Sequence, residues 1–425
     1  MMIKRILLFV GYNYIFFTCF LLGLVAVVSV FGKVFYTPAD AKNSEIVKFL
    51  VSEGDNLAIL APRLYDEGLI KSPNPIRWFA ILKGNKMKEK LLKLQEGEYE
   101  LAADMTPGKI LDVLTSGKVV KYAVTIPEGK TVLDIIRLIG KNDLIDSNSF
   151  AIDVHDREFI QSLGIFANSL EGYLFPETYH FTKPINAKGI ITKLVSESKK
   201  RFMQDEYKRR MDSLGMSLDQ ALTLASIIEK ESGNVEEMPT IASVFHNRLR
   251  LKMPLQSDPT VLYGIHGTID GEYKITKDDL KRNTSYNTYV NRGLPPTPIC
   301  NPGEAAFKAA LFPQDTKYLY FVAKGDGSNQ HVFSENYEDH RKAVSQYRRN
   351  VVINEAIAEI EAEEKGKQQE LNLGQFKTPE VAKPEAPQPK KRIKIDRLIS
   401  PIAPALNEPK EQKDEQEEIL KRILN

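Results

Sequence analysis

Hydrophobic positions run almost unbroken from Ile6 to Phe31, interrupted only by Gly, Asn13, Tyr, Thr, Cys and Ser. That length exceeds the roughly 20 residues that cross a bilayer and the roughly 7–15-residue apolar core of a secretory signal. The segment Phe31-Gly-Lys-Val-Phe-Tyr36 behind it is bulky and offers no small-x-small cleavage site. The pattern therefore predicts an uncleaved anchor over 6–31, a single transmembrane helix, with a cleaved signal as the rival reading. Lys4 and Arg5 favour a cytoplasmic N-terminus over 1–5, although Lys33 weakens the contrast. The bulk of the chain then lies outside the cytoplasm.

Beyond the anchor the pattern becomes that of small units. Val51-Ser-Glu-Gly-Asp-Asn-Leu-Ala-Ile-Leu60 runs into Leu69-Ile70, and Ile126-Pro-Glu-Gly-Lys-Thr-Val-Leu-Asp-Ile135 runs into Leu144-Ile145 at the same spacing. Each reads as a strand, a Glu-Gly turn and a helix that opens after Asp55-Asn56 or Thr131. A third unit pairs the strand Gly97-Glu-Tyr-Glu-Leu-Ala102 with a helix that starts at Thr106-Pro107, proline taking the first helical position.

Helical periodicity is strongest from Ser217. Ser217 with Gln220 forms a capping box, Leu218, Ala221, Leu222, Ala225 and Ile228 form the apolar stripe, and Gly233-Asn234 ends it. A second helix is expected over Pro239–Lys252, with Ile241, Val244, Phe245 and Leu249 inward. Leu255 to Gly264 reads as a polar loop around Pro259, and Thr284–Tyr289 with Gly293–Pro298 as loops excluded from a central strand. Asn301-Pro-Gly-Glu304 reads as a helix start with a capping box. Tyr318–Ala323 and His331–Phe333 around Gly325-Asp-Gly-Ser-Asn read as a hairpin. A charged helix is expected from Glu335 to about Leu371. Lys377–Asn425, rich in Pro, Lys and Glu, cannot bury enough surface to fold alone.

Composition narrows the function. The 425 residues are 42% hydrophobic, ample for two or three domains, and the net charge of +2 argues against a partner held by phosphate neutralisation, hence against nucleic acid. Cys19 lies in the apolar span and Cys300 does not, so they form no disulfide framework. The histidines His155, His180, His246, His266, His331 and His340 show no metal-ligand spacing, so neither metal nor any other cofactor is expected.

The helix from Ser217 ends in two acids, Glu229 and Glu231, on opposite flanks of its apolar stripe. Periodicity does not say which one faces a cleft. A carboxyl group desolvated there holds its proton toward neutral pH and can pass it to a leaving oxygen; an exposed, charged helix end is the plainer reading. Ser169–Phe181 interleaves aromatics with carboxylates, a composition suited to sugar rings, although each aromatic taken singly is more readily core than contact. Gln256 and Asp258 beside Pro259 offer groups for sugar hydroxyls. Asn247 and Arg248 brace the acid or lie at the surface, and His331 is more readily a structural histidine than a ligand.

Taken together, Ala225-Ser-Ile-Ile-Glu-Lys-Glu231, Ala242-Ser-Val-Phe-His-Asn-Arg-Leu-Arg250, Leu255-Gln-Ser-Asp-Pro-Thr-Val-Leu-Tyr-Gly264, Tyr286-Asn-Thr-Tyr289 and Gly293-Leu-Pro-Pro296 resemble the endolytic murein transglycosylases of the MltG (YceG-like) family. The likeness runs from about Val51 to about Tyr347. The resemblance of Ser169–Phe181 to a family motif makes Glu171, Phe175, Glu177 and Tyr179 groove candidates. The likeness implies an α+β fold: the anchor, a LysM-like α+β region over 37–150 and a catalytic domain over 151–350 with its acid on a helix; the charged helix and disordered Pro/Lys/Glu-rich tail over 351–425 exceed the usual family core. It implies Glu231 as catalytic acid, with Gln256, Asp258, Tyr263, Asn287, Tyr289, Glu171 and Glu177 toward substrate. It further implies cleavage of the MurNAc–GlcNAc bond within peptidoglycan strands to 1,6-anhydro ends, at the cell (inner) membrane, with synthases or division proteins as partners. Two alternatives stay open: a muramidase in which Glu229 or Asp258 supports a water, and a wall-binding scaffold without catalysis.

Overall fold

A computed structural model describes residues 14, 16–26, 29, 32–33, 36–82, 84–92, 94–141, 144–167, 169–271 and 273–374. Among the described residues the fold is α+β, with three two-stranded sheets among many helices. Among the described residues no helix is long and apolar enough to cross a membrane. Of the span expected at 6–31, residues 14, 16–26 and 29 are described, helical and exposed; the rest of that span and the tail from 375 lie outside the described residues.

The chain divides into two compact units: Met1–Val124 with Tyr179–Asn186, and Thr125–Thr178 with Ala187–Asn425. Unit one contains β1 (Ile46–Val51), α1 (Leu57–Asp66), α2 (Pro73–Leu82), α3 (Asn85–Leu92), β2 (Gly97–Ala102), α4 (Pro107–Leu114), and most of β3 (Tyr122–Thr125) and β4 (Thr178–Phe181), which pair with each other. β1 and β2 are antiparallel with Phe49 opposite Tyr99. Their inward residues Phe49, Val51, Tyr99 and Leu101 join Leu60, Leu64, Ile76, Ile110 and Leu111 in one core.

The local chemistry explains the elements. Asn56 Oδ1 accepts from the Ala58 and Ile59 amides and caps α1. Thr106 caps α4 with Pro107 in its first turn, as the sequence predicts. Pro62 sits inside α1 without an N–H to offer the Ala58 carbonyl, and Arg77 Nη2 supplies the missing donor at 2.8 Å. Gly97, at φ 149°, opens β2 where a Cβ would fall 2.4 Å from Val119 Cγ1, so no larger residue fits.

Unit two contains α5 (Val132–Gly140), α6 (Ser147–Asp153), α7 (Arg157–Ser162), α8 (Ala187–Phe202), α9 (Asp205–Leu214), α10 (Leu218–Glu231), α11 (Met238–Arg250), α12 (Asp258–His266), α13 (Glu304–Leu311), the hairpin β5 (Tyr320–Ala323) and β6 (His331–Ser334), and α14 (Tyr337–Gly374). Its centre is α10. Every residue from Ala221 to Ile228 is buried, which marks a helix enclosed on all sides. Thr223 and Ser226 are tolerated there because each donates within the helix, to Asp219 O and Thr223 O. α13, with Ala306, Phe307, Ala309, Ala310 and Leu311 buried, packs along it. The Phe202 ring lies 4.3 Å from that of Phe307 and 5.4 Å from that of Phe175.

Two local readings of the sequence are corrected. Leu255–Gly264 is not a loop throughout, because α12 begins at Asp258. Pro259 falls in the first turn, where a missing N–H costs nothing, so it starts a helix instead of marking a turn. Asn301 does not cap α13; the cap position is Gly303. Asn301 is fully buried, accepting from Leu174 N and donating to Lys130 O and Glu171 Oε1.

Candidate active site

Glu231 is the last residue of α10 and half-buried. Ser257 Oγ donates to Glu231 Oε1 at 2.5 Å. Ser257 stands at the N-cap position of α12, yet its hydroxyl makes no capping bond to that helix, being turned to the acid. The serine is fixed on every side: its N–H donates to Thr288 Oγ1, its carbonyl accepts from Thr260 Oγ1, and the two threonine hydroxyls meet at 2.8 Å. Gln256 precedes it in the left-handed region, at φ 51°, an uncommon conformation for a side-chain-bearing residue.

Arg248 on α11, 7% exposed, holds that turn from beneath. Its Nε donates to Leu319 O at 2.7 Å, and its Nη1 to Leu255 O at 2.9 Å, Pro254 O at 3.3 Å and Gln256 Oε1 at 3.4 Å. One guanidinium thus ties the hairpin strand to the loop that carries Ser257. Asp258, next in sequence, accepts from the Tyr289 hydroxyl at 2.5 Å.

These surroundings set the proton affinity. Desolvation pushes the Glu231 carboxyl up to about 7, helped by the nearby charge of Asp258 and opposed by the Ser257 hydrogen bond and the Arg248 charge. Its place at a helix C-terminus, where carbonyls converge, disfavours the carboxylate further. Burial also raises Asp258, against the Tyr289 hydrogen bond. An acid with pKa near neutrality, aimed and desolvated, can give up a proton and take one back.

The other acid of the pair faces elsewhere. Glu229 Oε2 accepts from Gly303 N at 3.0 Å, at the start of α13, where a carboxylate suits the positive end of the helix. Glu171 is 2% exposed and accepts from Val132 N, Asn301 Nδ2 and the Tyr263 hydroxyl at 3.0 Å. Burial raises it to about 8. It joins α5, α12 and the segment before α13, and Tyr263 is engaged with it. Asn287 is fully buried: its Nδ2 donates to Leu280 O and Arg282 O, and its Oδ1 accepts from Tyr289 N, so it builds the loop that presents Thr288 and Tyr289. Glu177 sits apart, 3.7 Å from Arg201. Phe175 and Tyr179 are core residues. His331 Nδ1 lies 2.9 Å from Glu237 Oε2, a structural pairing.

Of the residues singled out in the sequence, the structure gathers Gln256, Asp258 and Tyr289 around the Ser257 turn that holds Glu231, and spends Asn287, Glu171 and Tyr263 on bracing. Sequence reasoning does not point to Ser257, Thr260 or Thr288, although Ser257-Asp-Pro, an N-cap residue ahead of a first-turn proline, carries a signal for the first of them. Ser257→Ala removes a donor that favours the ionised acid, so the Glu231 pKa rises further. The alkaline limb of the pH–rate profile is expected to move to higher pH, with activity at its plateau down about ten-fold from lost orientation. An unmoved limb would deny Ser257 this role.

Residues 49–346 match the YceG-like family. The chain is 33% identical over 334 residues to the endolytic murein transglycosylase of Bacillus subtilis (strain 168), an alignment covering 75% of this chain and 89% of that protein. It is 28% identical over 340 residues to the endolytic murein transglycosylase of Streptococcus pneumoniae (serotype 2, strain D39), covering 73% of this chain and 60% of that longer protein. A crystal structure of a yceG-like protein from Listeria monocytogenes, 32% identical, covers 70% of this chain and 99% of its own, with a TM-score of 0.48. With its matched segment spanning most of both described units, the chain belongs to the YceG-like family.

Proposed function

We propose that this chain is a membrane-anchored lytic murein transglycosylase that cuts the MurNAc–GlcNAc bond inside nascent peptidoglycan strands and so ends their elongation. The observation that carries the reaction is the single acid at the end of α10, with pKa pushed up to about 7 and its neighbour Glu229 committed to the Gly303 amide. Glu231 donates its proton to the glycosidic oxygen as the C1–O bond breaks. The resulting carboxylate then removes the proton of the muramic C6 hydroxyl, whose oxygen attacks C1. The products are a 1,6-anhydro-MurNAc end and a free GlcNAc hydroxyl, and no water is consumed. One residue performs both transfers, so its pKa must lie between those demands.

Gln256, Asp258 and Tyr289 are proposed to meet the sugars flanking the bond, with Asn287, Tyr263 and Glu171 holding the loops that present them and Glu177 at the rim of the groove. Residues 6–31 are proposed as a single-pass anchor that leaves the N-terminus in the cytoplasm, the LysM-like region over 37–150 as a glycan-holding element, and peptidoglycan synthases or division proteins as partners. A hydrolytic muramidase is the second reading, favoured by one fact: Asp258 is close enough to raise the acid's pKa.

Mass spectrometry of intact glycan strands after incubation with the protein separates these readings. New 1,6-anhydro ends are expected. Reducing ends would establish the hydrolase, and intact strands would leave only a wall-binding scaffold.

A further inference from the structure

Unit one carries a surface that the reaction does not use. On α2, Ile76 and Ala80 turn into the core while Trp78 and Ile81, three positions apart and so on one face, are each 54% exposed. Gly84 leads directly into α3, where Met87 is buried and Leu91 packs on the core while Lys86, Lys90 and Leu92 face solvent, Leu92 at 85%. The Arg77 hydrogen bond to Ala58 O holds the start of α1 beside α2, and Ile59, next to Ala58, is 46% exposed. Four large apolar side chains therefore stand in water on three consecutive helices.

The charge is as uneven as the hydrophobicity. From Lys71 to Lys93 the sequence holds seven Lys or Arg and a single acid, Glu89, in a chain whose net charge is +2. Lysines beside an exposed Trp and Leu form the combination that rests on an anionic bilayer: the indole and aliphatic groups enter the headgroup layer, and the ammonium groups stay with the lipid phosphates. A soluble anionic glycan would answer the charge but offer no apolar phase for Trp78, Ile81 and Leu92.

We infer that the α2–α3 face of unit one docks on an anionic lipid surface, with Trp78, Ile81 and Leu92 at headgroup depth and Lys86 and Lys90 against phosphates. The inference takes from the proposed anchoring only that a bilayer is nearby. The surface itself is argued from residues that follow the anchor.

Trp78 is the only tryptophan in the chain, so intrinsic fluorescence reports on this face alone. The full chain is reconstituted in vesicles of phosphatidylcholine, or of phosphatidylcholine with equimolar phosphatidylglycerol. Trp78 emission is expected to move to the blue and to be quenched by brominated acyl chains only in the anionic vesicles, and screening salt reverses both. Lys86→Gln and Lys90→Gln are expected to shift the docked fraction toward free by roughly five-fold for each lysine removed. Emission indifferent to lipid charge overturns the inference, as does an equal shift produced by soluble peptidoglycan fragments without vesicles. Flotation with zwitterionic vesicles in high salt reads the anchor separately. A chain that floats with the zwitterionic vesicles yet keeps its Trp78 emission unchanged in the anionic ones refutes the docking face alone, and one whose emission shifts in the anionic vesicles without floating on the zwitterionic ones refutes the anchor alone.

Discussion

Glu231→Gln is expected to reduce formation of 1,6-anhydro ends by about 1,000-fold or more, because the substitution removes the proton donor and the later acceptor together. The amide keeps the shape of the side chain and can still accept from Ser257, so the fold should survive. The unmodified enzyme should lose activity with a one-proton slope as pH rises past about 7, where the acid ionises. Stability follows the same group with a definite sign. Between the ordinary carboxylate range and about 7 the folded protein keeps a proton that the unfolded chain has released, so this contribution to stability falls as pH rises through that window. Above it the folded state carries a charged carboxylate in a desolvated site. Glu231→Gln should therefore be more stable than its parent at pH 8, by about 2 kcal/mol after allowance for partial exposure, and gain little at pH 4. A variant that is inactive and destabilised at pH 8 would show that Glu231 serves the fold and not the reaction.

Arg248→Leu is expected to cost about 3 kcal/mol, because it leaves the Leu319, Leu255 and Pro254 carbonyls without a charged donor in a buried place. In a unit of this size that lowers the unfolding temperature by about 8 °C. Activity should fall about 100-fold, since the loop carrying Ser257 loses its register and small misplacements of an aimed acid are costly. Arg248→Lys separates charge from geometry. It keeps the charge that opposes protonation of Glu231 but cannot reach the strand and the loop with one planar fork. Thermal unfolding and the anhydro-end assay on both variants decide the matter. Full activity in Arg248→Lys would mean that only the charge matters there.

What the sequence disclosed was chiefly local. The capping box at Ser217–Gln220 and the stripe along Leu218–Ile228 fix α10 within a few residues, and both appear as expected. Asn56, Thr106 and Thr131 open their helices for the same reason. What stayed hidden depends on distant parts of the chain. That Glu229 turns to Gly303 and Glu231 to Ser257 is decided by which segments pack on the two flanks of α10, and helical periodicity carries no such information. Asn301 resembles a cap because the local string Asn-Pro-Gly-Glu permits one. Buried among Leu174, Lys130 and Glu171, it has better partners there. Arg248 shows its role only once β5 is known to lie beside α11.

The chain leaves unit one at Thr125, visits unit two, and returns for Tyr179–Asn186 before leaving for good. Because a ribosome delivers residues in order, β3 emerges with its partner β4 still unmade and stays unpaired until Phe181 has appeared. The completion of unit one is thus timed by the early part of unit two. No single cut can excise either unit whole, and a graft of unit two onto another scaffold would require two splice points.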